Sequence, residues 1–135
     1  MDEKDDILII KSDIREIKRA ENFLHSFFKR YAIPENYFNR VFLCLSEALL
    51  NSIQHGNKQD LRKQVFVKAD CTDETITIEI QDEGDGFEFD KVKNPTAYHN
   101  IRIESGRGIH IIKSLSDEVE FKSNGKCIHF KIECK

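Results

Sequence analysis

Thr75-Ile76-Thr77-Ile78-Glu79-Ile80-Gln81 alternates without a break, isoleucines to one side and polar side chains to the other, and runs directly into Asp82-Glu83-Gly84-Asp85-Gly86-Phe87. A period of two is the signature of a half-buried β-strand, and an acidic, glycine-rich turn is a natural place for it to stop. Gln64 to Asp70 alternates in the same way, so the pair predicts a hairpin around Cys71-Thr72-Asp73-Glu74. Glu118 to Ser123 and Lys126 to Ile132 flank Asn124-Gly125, the strongest short hairpin signal. Ile7 to Lys11 is a further β-prone run.

Two stretches have the helical period instead. Ile14, Ile17, Ala20, Leu24, Phe27, Phe28 and Tyr31 fall at three- and four-residue steps, with Ser12 or Asp13 available as N-cap. Ile33-Pro34 breaks that helix, and Pro34 suits the first turn of the next one. Val41, Phe42, Leu45, Ala48, Leu49 and Ile53 carry an apolar face down to His55-Gly56, where glycine is the usual stop. Asn57 to Lys63 reads as a polar loop. Gly108 to Ser116 predicts a shorter helix with Ile109, Ile112 and Leu115 inward. The order β-α-α-β-β-loop-α-β-β groups helices on one side of a largely antiparallel sheet, an α+β two-layer sandwich.

The 135 residues predict one domain spanning 1–135, with 39% hydrophobic and 33% charged residues, as in soluble globular proteins. No apolar run is long enough to span a bilayer, and the acidic start Met1-Asp2-Glu3-Lys4-Asp5-Asp6 is unlike a signal peptide. A cytoplasmic chain without membrane contact is expected. A net charge of -3 leaves no basic footprint for nucleic acid. Cys44, Cys71, Cys127 and Cys134 form no C-x-x-C pair and are expected to be reduced thiols packed as small apolar groups.

Three short motifs carry possible chemistry. Glu47 and Asn51, four apart on one helix, project from the same face. Asn51 offers a neutral amide oxygen suited to Mg²⁺, and Glu47 can accept a proton as a general base. A bare E-x-x-x-N is common by chance, and both side chains could simply be solvated. Asp82, at a strand end, can accept from the amino group of adenine and refuse guanine, while Gly84 and Gly86 let backbone approach a planar base. An ordinary acidic turn would have the same letters, though not a full calcium loop. Gly106-Arg107-Gly108 opens a helix, whose N-terminal N–H groups and dipole favour anions such as phosphates, and Arg107 could add its charge. Alone it could equally be a linker; it is neither a Rossmann fingerprint nor a P-loop.

Taken in order, E-x-x-x-N, D-x-G-x-G and G-x-G resemble the ATP site of the GHKL, or histidine-kinase-like, ATPases. Asn51-Ser52-Ile53-Gln54-His55-Gly56-Asn57 and Glu104-Ser105-Gly106-Arg107-Gly108-Ile109, running on to Ser116-Asp117-Glu118-Val119-Glu120, look most like the anti-sigma-factor serine-protein kinases. The likeness extends from Ile7 to Ile132. It implies a Bergerat-type sandwich on a mostly antiparallel mixed sheet, with ATP and Mg²⁺ as cofactors. Under the resemblance Glu47 is the general base, Asn51 the Mg²⁺ ligand and Asp82 the adenine acceptor. Gly84 and Gly86 line the base, and Gly106, Arg107, Gly108 and Ile109 hold phosphates. His55, one turn beyond Asn51, reaches the nucleotide or caps its helix. Ser52 stands where the family more often has alanine. Phe87 to Ser105, long and containing Asn94-Pro95, corresponds to an ATP lid of about residues 87–105.

The implied activity is phosphorylation of a serine on a STAS-type anti-anti-sigma protein by a homodimeric kinase that also sequesters a sigma factor. Two other readings use the same site. One is a nucleotide-gated binding module with little turnover, for which Glu47 would be unnecessary. The other is the stand-alone ATPase module of a histidine kinase. A histidine kinase requires a phosphoacceptor helix, normally a histidine followed by an acidic residue, whereas His25 is followed by Ser26-Phe27; a stand-alone module would act on a separate histidine-bearing protein.

Overall fold

A computed structural model of the chain describes residues 6–83, 107–122 and 126–134. In chain order the elements are β1 (Asp6–Lys11), α1 (Ile17–Arg30), α2 (Phe38–Asn51), β2 (Gln64–Thr72), β3 (Thr75–Asp82), α3 (Arg107–Leu115), β4 (Glu118–Lys122) and β5 (Cys127–Glu133). The strands form one five-stranded sheet in the order β1-β2-β3-β5-β4. The mostly antiparallel sheet is realised as four antiparallel pairings. The segment 87–105, most of the D-x-G-x-G motif and the Asn124-Gly125 turn lie outside the described residues.

Alternation along the central strands sets the layers. Opposite neighbours Val67 and Ile80, Ala69 and Ile78, Ile78 and Phe130, and Ile80 and Ile128 all point to one face. That face is buried with Leu24, Phe27 and Phe28 of α1 and Val41, Leu45, Ala48 and Leu49 of α2 in a single core. Each fully buried side chain of this size stabilises the fold by about 1.5–3 kcal/mol relative to exposure. A one-residue slip of register would turn the whole set toward water, so the core and the sheet register specify each other. The two-layer α+β architecture follows.

Element boundaries differ from expectation for local reasons. The first apolar stripe begins in a 3₁₀ turn, Ile14–Glu16, capped by Asp13, whose Oδ1 accepts from the Arg15 N–H at 2.9 Å. Ser12 is no cap; it is buried, and its hydroxyl donates to the Lys63 carbonyl at 2.9 Å. Pro34 does not occupy the first turn of α2. Its ψ of 133° is extended, and a 3₁₀ turn, Glu35–Tyr37, intervenes before the helix. The first hairpin is tighter than expected: Thr72 pairs with Thr75, leaving Asp73 and Glu74 as the turn, with φ of 53° and 62°. Two consecutive left-handed residues match the right-handed twist of the strands.

All four cysteines are free, with Cys44, Cys127 and Cys134 buried. Burial pushes their thiols up, to about 11 for Cys44 and Cys134. Cys127 is pushed up to about 12, because burial is joined by the Glu79 carboxylate, to which its S–H donates at 3.3 Å. They are core side chains, held in the unreactive thiol form.

The end of α1 stores a little strain. The Ile33 N–H closes the helix on the Phe28 carbonyl at 2.9 Å, and Ala32 takes φ of 52° to allow it. That conformation costs an L-residue about 1–2 kcal/mol, against about 0.4–1 kcal/mol for the extra unfolded-state freedom of glycine. Ala32→Gly should therefore stabilise the protein by about 0.5–1 kcal/mol in urea denaturation. A lower midpoint would contradict the assigned strain.

Candidate functional site

Helix α2 supplies one wall. Its buried face (Val41, Cys44, Leu45, Ala48, Leu49) packs into the core, and Glu47 and Asn51 lie one turn apart beside it. Glu47 is half-buried. Asn51 is 5% exposed, and its Oδ1 is buried with no hydrogen-bond partner among the described residues. A buried acceptor of this kind is ordinarily paired, so Asn51 Oδ1 is a candidate ligand-binding atom.

The helix does not stop cleanly after Asn51. Ser52–Gly56 form one π-helical turn, closed by the Asn57 N–H donating to the Ser52 carbonyl at 2.7 Å. Such wide turns recur at functional sites, because they displace side chains from ordinary helical spacing. The sequence predicts Gly56 as a conventional helix stop, but its φ is not left-handed. Its missing side chain serves close approach instead. A Cβ on Gly56 would occupy the space of the Asp82 carboxylate. Asp82 is the last residue of β3 and 3% exposed, and its N–H donates to the Lys126 carbonyl at 2.9 Å.

A second glycine contact joins α2 to α3. A Cβ on Gly108 would lie 2.8 Å from Glu47 Oε1. The Glu47 carboxylate thus rests against the N-terminal turn of α3, the positive end of that helix. At the other end of α3, Arg40 Nε donates to the Leu115 carbonyl at 2.5 Å, and its Nη2 lies 3.6 Å from Asp117 Oδ2. Arg40 and Glu47 are two turns apart on α2, so one helix holds α3 at both ends.

Of the residues predicted from sequence, Glu47 and Gly108 meet where α2 packs on α3, Asn51 lies one turn beyond Glu47 on α2, and Asp82 joins the same helical run through Gly56. His55 lies half-buried in the π turn, and Ile109 is buried on the inner side of α3. Gly84, Gly86 and Gly106 lie outside the described residues; Arg107 is the first residue of α3. Arg40 and Asn57 belong to no predicted site, and Gly56, where the helical run does end, also serves the close approach to Asp82. The i, i+7 spacing of Arg40 and Glu47 could have signalled the first; nothing local distinguishes Asn57 from the polar run that follows it.

The donor set fits a hard divalent cation: Asn51 Oδ1 is neutral, buried and without a partner among the described residues. Among the described residues no three His, Cys, Asp or Glu side chains gather into a metal cluster. A cation at Asn51 would therefore take most of its ligands from phosphate and water, as Mg²⁺ does in nucleotide sites.

The chain belongs to the histidine kinase-like ATPase domain family, whose model matches residues 10–132. Within that family it is 28% identical over 88 residues to the serine-protein kinase RsbW of Bacillus subtilis (strain 168), covering 61% of this chain and 55% of the relative. It is 36% identical over 78 residues to the anti-sigma F factor of Oceanobacillus iheyensis, covering 56% of this chain and 53% of that protein. The chain thus spans about half the length of the curated relatives it matches. The crystal structure of the RsbU and RsbW domains of a Mycobacterium tuberculosis protein shares the fold, with a TM-score of 0.63 over 93% of this chain and 31% of that one at 14% identity. Among the described residues no helix is long and apolar enough to cross a membrane.

The Gly56 contact gives a direct test. Gly56→Ala inserts a methyl group into the carboxylate of Asp82 and should destabilise the fold by about 1–3 kcal/mol. Gly56→Ala should also weaken ATP binding, read by calorimetry on the folded variant. Unchanged stability and affinity would show that Asp82 is free to move aside.

Proposed function

We propose that the chain is an ATP-dependent protein-serine kinase and anti-sigma factor in a partner-switching circuit, phosphorylating a serine on a STAS-type anti-anti-sigma protein. The carrying observation is the Asn51 oxygen, without a partner among the described residues and buried one turn from Glu47 on the helix that abuts α3. The names of the relatives, a serine-protein kinase and an anti-sigma F factor, support the choice of reaction and partner.

Each residue then has a distinct task. Asp82 accepts from the adenine amino group, held in place by the Gly56 backbone behind it. Asn51 is the protein ligand to Mg²⁺, which when bound offsets phosphate charge. The N-terminal turn of α3, with Gly106, Arg107, Gly108 and Ile109, receives phosphate oxygens through its N–H groups. Glu47 takes the proton of the partner's serine hydroxyl as that oxygen bonds to the terminal phosphorus and ADP departs. His55 faces the nucleotide from the π turn, and Gly84 and Gly86 border the base. The kinase works as a homodimer in the cytoplasm, for which Ile7 and Ile9, 62% and 43% exposed on edge strand β1, offer apolar surface. The new phosphate, carrying about -1.5 to -2 charges, repels the acidic kinase and ejects the product, freeing the kinase to hold the sigma factor.

Glu47→Ala separates chemistry from binding. ATP affinity and partner binding should persist while phosphoserine formation on a candidate STAS protein, read by mass spectrometry, falls by roughly 10²–10⁴-fold. Parallel loss of ATP binding would make Glu47 structural, and unchanged transfer would remove it from the reaction.

A further inference from the structure

We propose that Asn57 is a positioning residue for base selection, aiming the Asp82 carboxylate without touching the nucleotide. The inference rests on the reading of Asp82 as the adenine acceptor. Asn57 is 1% exposed, and its amide bridges separate elements. Nδ2 donates to Ser12 Oγ at 2.7 Å and to the Gln64 carbonyl at 2.9 Å, while Oδ1 accepts the Glu83 N–H at 2.8 Å. Its own backbone N–H closes the π turn on Ser52. One side chain therefore ties the end of the Asn51 helix to the loop after β1, the start of β2 and the end of β3.

The bond to Glu83 matters most for Asp82. Two peptide planes flank the Asp82 Cα. The first is anchored by the Asp82 N–H on the Lys126 carbonyl at 2.9 Å, and the second by the Glu83 N–H on Asn57. With both planes held, the direction of the Asp82 Cα–Cβ bond is fixed, and only the side-chain torsions remain to be set. Gly56, the neighbour of Asn57, then limits how far that carboxylate can retreat. The same two-residue unit thus aims Asp82 and backs it. Asparagine is required by the inventory of bonds, since two donors meet two acceptors and one acceptor meets one donor. Aspartate would keep the acceptor for Glu83 but face the Gln64 carbonyl with a second acceptor. Leucine, of similar volume, would keep neither.

The test compares the ATP-to-GTP affinity ratio, by calorimetry, in the wild type, Asn57→Leu, Asn57→Asp, Ser12→Ala and Asp82→Ala. Asn57→Leu should lower the ratio by about tenfold or more, the equivalent of one hydrogen bond. Asn57→Asp should retain most of it despite lower thermal stability, because the Glu83 bond survives. Ser12→Ala should lower stability and leave the ratio intact. Loss of the ratio to the same extent in Asn57→Leu, Asn57→Asp and Ser12→Ala would reduce Asn57 to a structural role, and a wild-type ratio in Asn57→Leu would overturn the proposal. A wild-type ratio in Asp82→Ala would sink the underlying reading of Asp82 instead. Should Asn57→Leu fail to fold, amide exchange in the wild type decides. The Glu83 amide should gain protection with ATP and not with GTP, and equal protection with both would refute the positioning role.

Discussion

The contact of the Gly56 backbone with the Asp82 carboxylate is the constraint on which the site depends. It is where the helical layer touches the end of a central strand, and it admits no side chain. Because β3 lies in the middle of the sheet, its end is fixed by neighbours on both sides, through Val65 and through the Lys126 carbonyl. The π turn brings the helical run down onto that fixed point. A regular α-helix continued past Asn51 would place Ser52 to Gly56 at different angles, and the wide turn is what lets Gly56 meet Asp82 while Asn51 stays on the face of Glu47.

Helix α2 works as a strut between the two halves of the site. On one side Arg40 fixes the last carbonyl of α3, that of Leu115, in a charge-assisted bond worth about 1.5–3 kcal/mol, and Glu47 abuts its first turn. On the other, Asn57 staples the continuation of α2 to the strands. Leu45, Leu49, Ile78 and Ile80 belong to the one buried core that α2 and β3 share. Packing thus holds Asn51 Oδ1, which has no partner among the described residues, in a fixed place, and a group fixed before binding lowers the ordering cost of binding.

The strands and the helix faces were legible in the sequence because burial imposes a period on them. Ile76, Ile78 and Ile80 announce an inward face, and Leu45, Ala48 and Leu49 another. The E-x-x-x-N, D-x-G-x-G and G-x-G letters likewise identified the family, and of the residues in them Glu47 meets Gly108 where α2 packs on α3, while Asp82 meets Gly56. What could not be read is whatever depends on contact between distant segments. Gly56 looks like any helix stop until Asp82 is placed against it. Asn57 opens a polar run, and its three partners come from residues 12, 64 and 83. Pro34 suits the first turn of a helix and Ile14 falls on the apolar stripe of the first, yet short 3₁₀ turns precede both helices, and such end turns are not encoded in the apolar period.

The most direct measurement is a crystal structure with Mg²⁺ and a non-hydrolysable ATP analogue. The adenine amino nitrogen should lie about 2.7–3.2 Å from the Asp82 carboxylate, with the Gly56 backbone still behind it and the metal bound to Asn51 Oδ1. Adenine held away from Asp82, or a metal carried by side chains other than Asn51, would contradict the assignment of this site.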